Sequence, residues 1–213
     1  HTDIFVWARS TGSTRKLTEG SGDSVNPSIS ADGRTVAFES IARDLVPGQT
    51  TSGTNVYVVD RASGAVTLVS DPAIGGAAPS ISGTGLFVAY QGRDDIYLWQ
   101  RIGVTERVTH GNAPSHEPAI SADGSTLAFT SQASDLAPSD TNGFHDLFRW
   151  DRSTATTTRL TDADAPFTSL PSVSGDGGHI TFSSTAGNVA PGDTAGTGDV
   201  FAWDRSGSKI GSS

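Results

Sequence analysis

The chain of 213 residues contains no cysteine and no methionine. Without cysteine it can form neither a disulfide framework nor a thiolate metal site. Because an initiator methionine is missing as well, we expect His1 to be either a mature N-terminus left by signal-peptide cleavage or an artificial end. The lack of cysteine also fits secretion, so we expect an extracellular, periplasmic or cell-surface location.

Long apolar runs and helical periodicity are missing too. The longest apolar runs, such as residues 86–90, have the length of a strand and fall far short of the about 20 residues that cross a membrane. The 25 glycines and 10 prolines favour many short strands joined by turns. We therefore predict an all-β chain without a membrane span.

Positive charge is scarce, with 14 Lys and Arg against 23 Asp and Glu and a formal net charge of −9. The acidic residues are spread through the sequence rather than gathered in a tail. Phosphate binding requires clustered Lys and Arg side chains, so nucleic acid is excluded as the expected partner.

What the chain does contain is a repeated phrase, Pro-Ser-Ile-Ser-x-Asp-Gly or a close variant, which begins at Pro27, Pro79, Pro118 and Pro171. Glycine after Asp or Thr supplies the positive φ that a tight hairpin turn needs. A β-branched and aromatic run follows each turn. Each copy therefore predicts two antiparallel strands.

A second motif occurs five times and reads acid or amide, aliphatic, aromatic, variable, usually Trp, variable, Arg. Its copies span residues 3–9, 55–61, 95–101, 146–152 and 199–205. A turn and a Thr-rich strand follow most copies. Each unit is thus predicted to have four antiparallel strands, at a spacing typical of propeller blades.

These residues resemble the TolB-type, WD-repeat-like β-propeller repeat over nearly the whole chain. The resemblance implies a single all-β propeller domain at 1–213, with an N-terminal half-blade at 1–25 and full blades at about 26–78, 79–117, 118–170 and 171–213. It does not imply one activity, because such propellers serve as docking platforms, periplasmic translocation components and substrate-filtering domains of peptidases.

The half-blade complicates ring closure. The N-terminus supplies a third and fourth strand, while the C-terminal unit supplies a first, second and third strand. Three arrangements remain open: a five-unit ring or arc, a segment of a longer propeller, or two chains that complete one another. We favour the five-unit ring or arc.

Alternating strand directions sort the loops onto two faces. The tight turns lie on one face, and the long loops near 41–54, 132–145 and 184–198 lie on the other with the crossovers 71–78, 110–117 and 162–170. Binding residues favour variable loops on a rigid scaffold, so we predict a binding surface there. The candidate binding residues are Asp94, Asp95, His110, His116, Glu117, Asp140, Asn142 and Asp193.

Two of the long loops resemble calcium loops, because Asp stands at the first and seventh positions around a central Gly. The candidate metal ligands are Asp140, Asn142, Asp146, Asp193 and Asp199. The favoured interpretation is that these side chains form Asx turns and bond backbone amides at strand starts. We therefore predict no cofactor, with calcium as the alternative. Zinc bound by His110, His116 and Glu117 is a weaker alternative.

The recurring tryptophans, Trp7, Trp99, Trp150 and Trp203, occupy one position of the third strand. This placement favours packing between adjacent blades over a sugar-stacking ladder. The arginine two positions later is predicted to pair with an Asp or with a neighbouring turn.

Catalytic motifs are missing: the sequence has no Gly-x-Ser-x-Gly, no His-Glu-x-x-His, no cysteine nucleophile and no phosphate loop. We therefore predict a noncatalytic binding or scaffold propeller that engages a protein or glycan through the acidic long-loop face. The alternatives are a self-assembling subunit, a homo-oligomer closed by strand exchange, and the propeller portion of a larger serine peptidase or TolB-like translocation protein.

Overall fold

The computed structural model describes residues 1–49, 52–138, 140–165, 168–193 and 198–206, together with the backbone of 209–212. Over these residues the chain forms strands and turns without a helix, so no helix in this part could cross a membrane. The strands form one two-stranded and four four-stranded antiparallel sheets, which confirms the all-β prediction of one half-blade and four full blades.

The strand bounds follow the two repeated motifs. The half-blade consists of β1 (Phe5–Ala8) and β2 (Ser13–Lys16). Blade 1 consists of β3 (Ser24–Ile29), β4 (Thr35–Ser40), β5 (Asn55–Asp60) and β6 (Val66–Leu68). Blade 2 consists of β7 (Ala77–Ile81), β8 (Phe87–Gly92), β9 (Asp95–Gln100) and β10 (Val104–Arg107). Blade 3 consists of β11 (Ser115–Ile120), β12 (Thr126–Ser131), β13 (Asp146–Asp151) and β14 (Thr156–Arg159). Blade 4 consists of β15 (Thr168–Val173), β16 (His179–Ser184), β17 (Asp199–Asp204) and β18 (Lys209–Ser212).

The Ser-x-Asp-Gly phrase forms the turn between the first and second strands. In blade 1, the Ser30 hydroxyl donates to Asp32 Oδ1 at 2.7 Å and accepts from the Thr35 amide at 3.1 Å. The Arg34 amide donates to the same Asp32 oxygen at 2.9 Å, and Gly33 has a φ of 68°. Blades 3 and 4 repeat this network, so the phrase recurs because one turn chemistry is used each time.

The proline that opens each phrase marks a β-bulge in the first strand. The register between the first and second strands shifts in all four blades at the residue before the proline. That residue has a positive φ of 49° to 54° at Asn26, Ala78, Glu117 and Leu170. Proline has no amide hydrogen to offer to the ladder, so the strand bulges there. The first strands contact one another in series and form the inner side of the blades.

The hydrophobic core lies between blades rather than within them. Four clusters of buried side chains are present, and each joins two successive units. Between blades 2 and 3, Phe148 and Trp150 of β13 share a cluster with Ile96 and Leu98 of β9. Because side chains alternate along a strand, the aromatic pair of each third strand points to the preceding unit and the aliphatic pair points to the following one.

The same aromatic positions are also paired within each full blade. The second-strand ring stacks on the third-strand ring at centroid distances of 5.4 to 5.7 Å, and the pairs are Phe38 with Tyr57, Tyr90 with Tyr97, Phe129 with Phe148, and Phe182 with Phe201. Such offset pairs add specificity to the burial of apolar surface. The packing interpretation is thus confirmed for Trp99, Trp150 and Trp203, which are buried, whereas Trp7 is 62% exposed.

Several of the recurring arginines link successive blades, as predicted. Arg101 of blade 2 donates to Asp60 Oδ2 and to Thr35 Oγ1 of blade 1, both at 2.8 Å. The guanidinium of Arg152 in blade 3 lies 4.4 Å from the ring centre of Phe87 in blade 2. These contacts fix the blades relative to one another at the tight-turn edge.

The last blade differs from the sequence expectation. The sequence predicts three strands for it, but in the structure β18 pairs antiparallel with β17 and completes four strands. The half-blade stays a separate two-stranded sheet, so hydrogen bonding does not join it to blade 4 over the described residues. The five units therefore follow one another in series, each packed on its neighbours in sequence.

The equivalent tryptophans allow a direct test of the inter-blade core. Trp150 is 2% exposed and Trp7 is 62% exposed, although both stand at the same motif position. We expect Trp150→Ala to lower the free energy of unfolding by about 3 to 5 kcal/mol. Trp7→Ala should change it by less than about 0.5 kcal/mol. Urea denaturation followed by circular dichroism measures both, and equal losses would contradict the assignment of the core.

Candidate functional site

The long-loop face carries a polar pocket at its inner end. Its volume is about 380 Å³, and three blades line it. Blade 2 contributes Gln91, blade 3 contributes His116, Glu117, Thr130 and His145, and blade 4 contributes Thr168. The sequence analysis placed His116 and Glu117 on this face, and the structure brings both of them into this pocket.

Strand pairing and the β-bulge position the blade 3 residues. His116 is the second residue of β11 and pairs in register with Thr130 of β12. Glu117 is the bulge residue, with a φ of 53°. His145 comes directly before β13, and its ring lies 5.8 Å from the ring of His116, centroid to centroid. Two histidines that are far apart in sequence are therefore neighbours at the wall of the pocket.

The pocket favours an uncharged His145. Burial lowers the pKa of its imidazole below the ordinary value of 6.5, and the nearby His116 lowers it further, whereas Glu117 opposes the shift. The Nδ1 atom of His145 is buried and has no hydrogen-bond partner among the described residues. A neutral imidazole carries one donor and one acceptor nitrogen, so it can bind a ligand without a charge of its own.

Glu117 has a structural contact as well as a place in the pocket. Its Oε2 atom accepts a hydrogen bond from the Leu170 amide of blade 4 at 2.7 Å. Glu39 makes the corresponding link from blade 1 to the Ala78 amide of blade 2, at 2.8 Å. The carboxylate therefore holds two blades together at the point where the pocket opens between them.

The other predicted residues of the face do not join this pocket. Asp94 and Asp95 line a separate depression of about 290 Å³ near Arg107. Asp95 is buried, pairs with Arg107 at 2.7 Å and accepts from the Thr109 hydroxyl at 3.0 Å, so it stabilises the outer edge of blade 2. His110 is exposed and does not line the pocket that contains His116 and Glu117.

The loop at 140–146 places a guanidinium between its carboxylates. Arg159 Nη1 lies 3.2 Å from Asp140 Oδ1 and 3.6 Å from Asp146 Oδ2. Asp146 is fully buried and also accepts from the Thr161 hydroxyl and the Ala163 amide, and burial raises the pKa of its carboxyl group. Arg159 thus supplies the positive charge that a bound cation would otherwise supply to this loop.

Asn142 supports the interpretation of this loop as a turn. Its Oδ1 atom accepts from the Phe144 amide at 2.9 Å, which is an Asx turn, and its amide nitrogen donates to the Ala163 carbonyl at 2.8 Å. Among the described residues, no three acidic or histidine side chains are grouped to hold a metal ion. The second predicted loop runs from Asp193 to Asp199, and residues 194–197 lie outside the described part of the chain. Calcium binding at this second loop therefore stays the untested alternative to the favoured Asx-turn interpretation.

Sequence reasoning missed Gln91, Thr130 and His145 as pocket residues. Gln91 and Thr130 lie near the ends of second strands, and His145 is the last residue of a long loop. Aligning the motifs places these positions at the same edge of neighbouring strands. That alignment was the available signal, but a choice among the many polar loop residues needs the tertiary arrangement.

No protein-family model matches the chain, and no curated protein sequence matches it either. Solved structures do resemble it. TolB from Acinetobacter baumannii is 17% identical with a TM-score of 0.65, over 99% of this chain and 48% of that chain. An oligogalacturonate lyase from Vibrio parahaemolyticus is 11% identical with a TM-score of 0.67, over 99% of this chain and 59% of that chain. A puromycin-hydrolyzing peptidase of Mycobacterium tuberculosis is 17% identical with a TM-score of 0.64, over 96% of this chain and 31% of that chain.

The chain therefore spans about half the length of the TolB structure and less than a third of the peptidase. At these identities the similarity establishes the fold alone. Together with the sheet topology, it shows that the chain has the TolB-like β-propeller fold that its repeats predicted.

Proposed function

We propose that this chain is a noncatalytic binding propeller that recognises a protein or glycan through its long-loop face, in an extracellular, periplasmic or cell-surface setting. The observation that carries the proposal is the polar pocket between blades 2, 3 and 4. Its volume of about 380 Å³ suits one sugar ring or one polar side chain of a larger partner. The acidic loops around it would contact the rest of that partner.

The walls of the pocket are held in place by the scaffold. His116 and Thr130 are paired across two strands, and Glu117 bonds to the backbone of blade 4. Phe129, the neighbour of Thr130 on β12, and Phe148 on β13, the strand that follows His145, are fully buried in the inter-blade core. A preorganised polar pocket binds with a small loss of conformational freedom, which favours recognition.

The noncatalytic part of the proposal is based on the side chains that the pocket brings together. Neither His116 nor His145 is hydrogen-bonded to a serine or threonine hydroxyl among the described residues. The arrangement of a nucleophile activated by a neighbouring base is therefore not formed in the pocket.

The partial coverage of those structures supports a second candidate. The chain matches 48% of TolB and 31% of the peptidase, so it has the extent expected of a propeller portion within a larger translocation protein or serine peptidase. In that case the long-loop face would bind the partner or substrate of the larger protein.

Binding is tested with a broad glycan array and a display library of random peptides, and hits are quantified by calorimetry. We expect a ligand whose affinity falls at least about tenfold in His145→Ala, or 1.4 kcal/mol. The matched control is His179→Ala, because His179 is exposed at the opposite, tight-turn end of blade 4. A ligand that binds both variants as it binds the unmodified chain would contradict the assignment of the site.

The pocket also predicts a pH dependence that needs no ligand. Since the folded state lowers the pKa of His145 below 6.5, the unfolded chain binds this proton more readily. Stability contributed by His145 is therefore present above pH 6.5 and is lost as the pH falls through the folded-state pKa. NMR titration should give a midpoint below 6.5 for His145, closer to 6.5 in His116→Gln. His110→Gln is the control and should leave that midpoint unchanged. A midpoint at or above 6.5 would contradict this account of the pocket.

A further inference from the structure

The two ends of the blade series present different uncovered faces. At the first end, Phe5 and Trp7 of β1 are 57% and 62% exposed, and we name this pair the N-terminal end face. At the other end, Val200 of β17 is 54% exposed, and Thr181 and Ala202 beside it are exposed too. These three residues form the C-terminal end face.

The repeat itself shows what covers a face of each kind. The residues equivalent to Phe5 and Trp7 are buried in every full blade that has Phe and Trp at these positions. In blade 4 they are Phe201 and Trp203, which share a cluster with Ala128 and Leu147 of blade 3. In blade 3 they are Phe148 and Trp150, which share a cluster with Ala89, Ile96 and Leu98 of blade 2. An aromatic face is thus covered by the aliphatic face of the unit before it.

The C-terminal end face is the aliphatic face of this same pattern. Val200 occupies the position of Ile96 and Leu147, and Ala202 occupies the position of Leu98. Thr181 occupies the position of Ala89 and Ala128 on the second strand. The C-terminal end face is therefore equivalent in position to the faces that cover Phe and Trp inside the blade series, and it could cover Phe5 and Trp7 in the same way.

Charge supports the same match. In the blade 1 to blade 2 contact, Arg101 donates to Asp60 of the preceding blade at 2.8 Å. Arg9 of the half-blade is equivalent to Arg101, and Asp204 of blade 4 is equivalent to Asp60. Arg9 is exposed at the N-terminal end. A blade 4 that covers the N-terminal end face would place its Asp204 within reach of Arg9.

The chain does not cover its own end faces, because both are exposed in one structure and the two terminal sheets are separate. We propose that a second copy covers them: the half-blade of one copy packs on blade 4 of the next, face to face and without exchange of strands. Such a contact joins two different surfaces, so it is heterologous and either closes into a ring or continues as an open chain.

Sedimentation velocity of the 213-residue chain, from micromolar to near-millimolar concentration, tests the contact. We expect reversible self-association that Trp7→Glu abolishes and that Val200→Glu abolishes separately. Ile102→Glu is the control, because Ile102 is an exposed apolar residue at the tight turn between β9 and β10, away from both end faces. It should leave the association unchanged.

A mixing experiment tests the heterologous geometry. The Trp7→Glu chain keeps an intact C-terminal end face, and the Val200→Glu chain keeps an intact N-terminal end face. Each chain alone should be monomeric, and an equimolar mixture should form a dimer. Association that survives both substitutions, or a mixture that stays monomeric, would overturn the proposal.

Tryptophan fluorescence of the unmodified chain gives a readout that does not depend on the folding of any variant. Trp7 is the exposed tryptophan, whereas Trp99, Trp150 and Trp203 are buried. Iodide quenching should therefore decrease as the protein concentration rises. A chain that stays monomeric and whose quenching stays constant over this concentration range would also overturn the proposal.

Discussion

The contact on which this structure depends joins the aromatic side of one third strand to the aliphatic side of the third strand before it. A single four-stranded sheet is one layer and cannot bury a core of its own. Because both faces of a blade carry apolar side chains, each blade needs a neighbour on either side. The four hydrophobic clusters accordingly lie between units, and each joins two successive units. Stability in such an array is a sum of contacts between neighbours, so every blade depends on the blades beside it.

This constraint also explains the two faces of the molecule. The tight-turn side is fixed by the Ser-x-Asp-Gly network and by arginines that reach the preceding blade. The other side carries loops of different lengths above the same packed strands, and the packing of the strands does not constrain the length of these loops. The pocket with His116, His145 and Glu117 opens there, where a bulge and a loop end from blade 3 meet blades 2 and 4. A rigid scaffold and variable loops together favour recognition over movement.

Much of the architecture could be predicted from the sequence because its determinants are local. The Asp-Gly turns, the alternating strands and the third-strand motif each act within a few residues, and four copies in register exclude coincidence. Strand β18 was missed because it is only four residues long, at 209–212, and its sequence lacks the Thr-rich pattern of the other fourth strands. The ion pairs of Arg159 with Asp140 and Asp146 were missed because the three residues lie in different elements. Asp140 is in a loop, Asp146 begins β13 and Arg159 ends β14. Aligning the motifs places His145 at the correct edge of its blade, but its position in the pocket depends on tertiary neighbours such as His116 and Gln91.

The central claim is that the contact between Trp150 and the aliphatic face of blade 2 stabilises the protein. A double-mutant cycle with Trp150→Ala and Leu98→Ala, measured by urea unfolding, tests it most directly, since both residues belong to the cluster between blades 2 and 3. The account predicts a coupling free energy of about 0.5 to 3 kcal/mol between the two substitutions. Strict additivity, with each substitution costing the same whether or not the other is present, would contradict it.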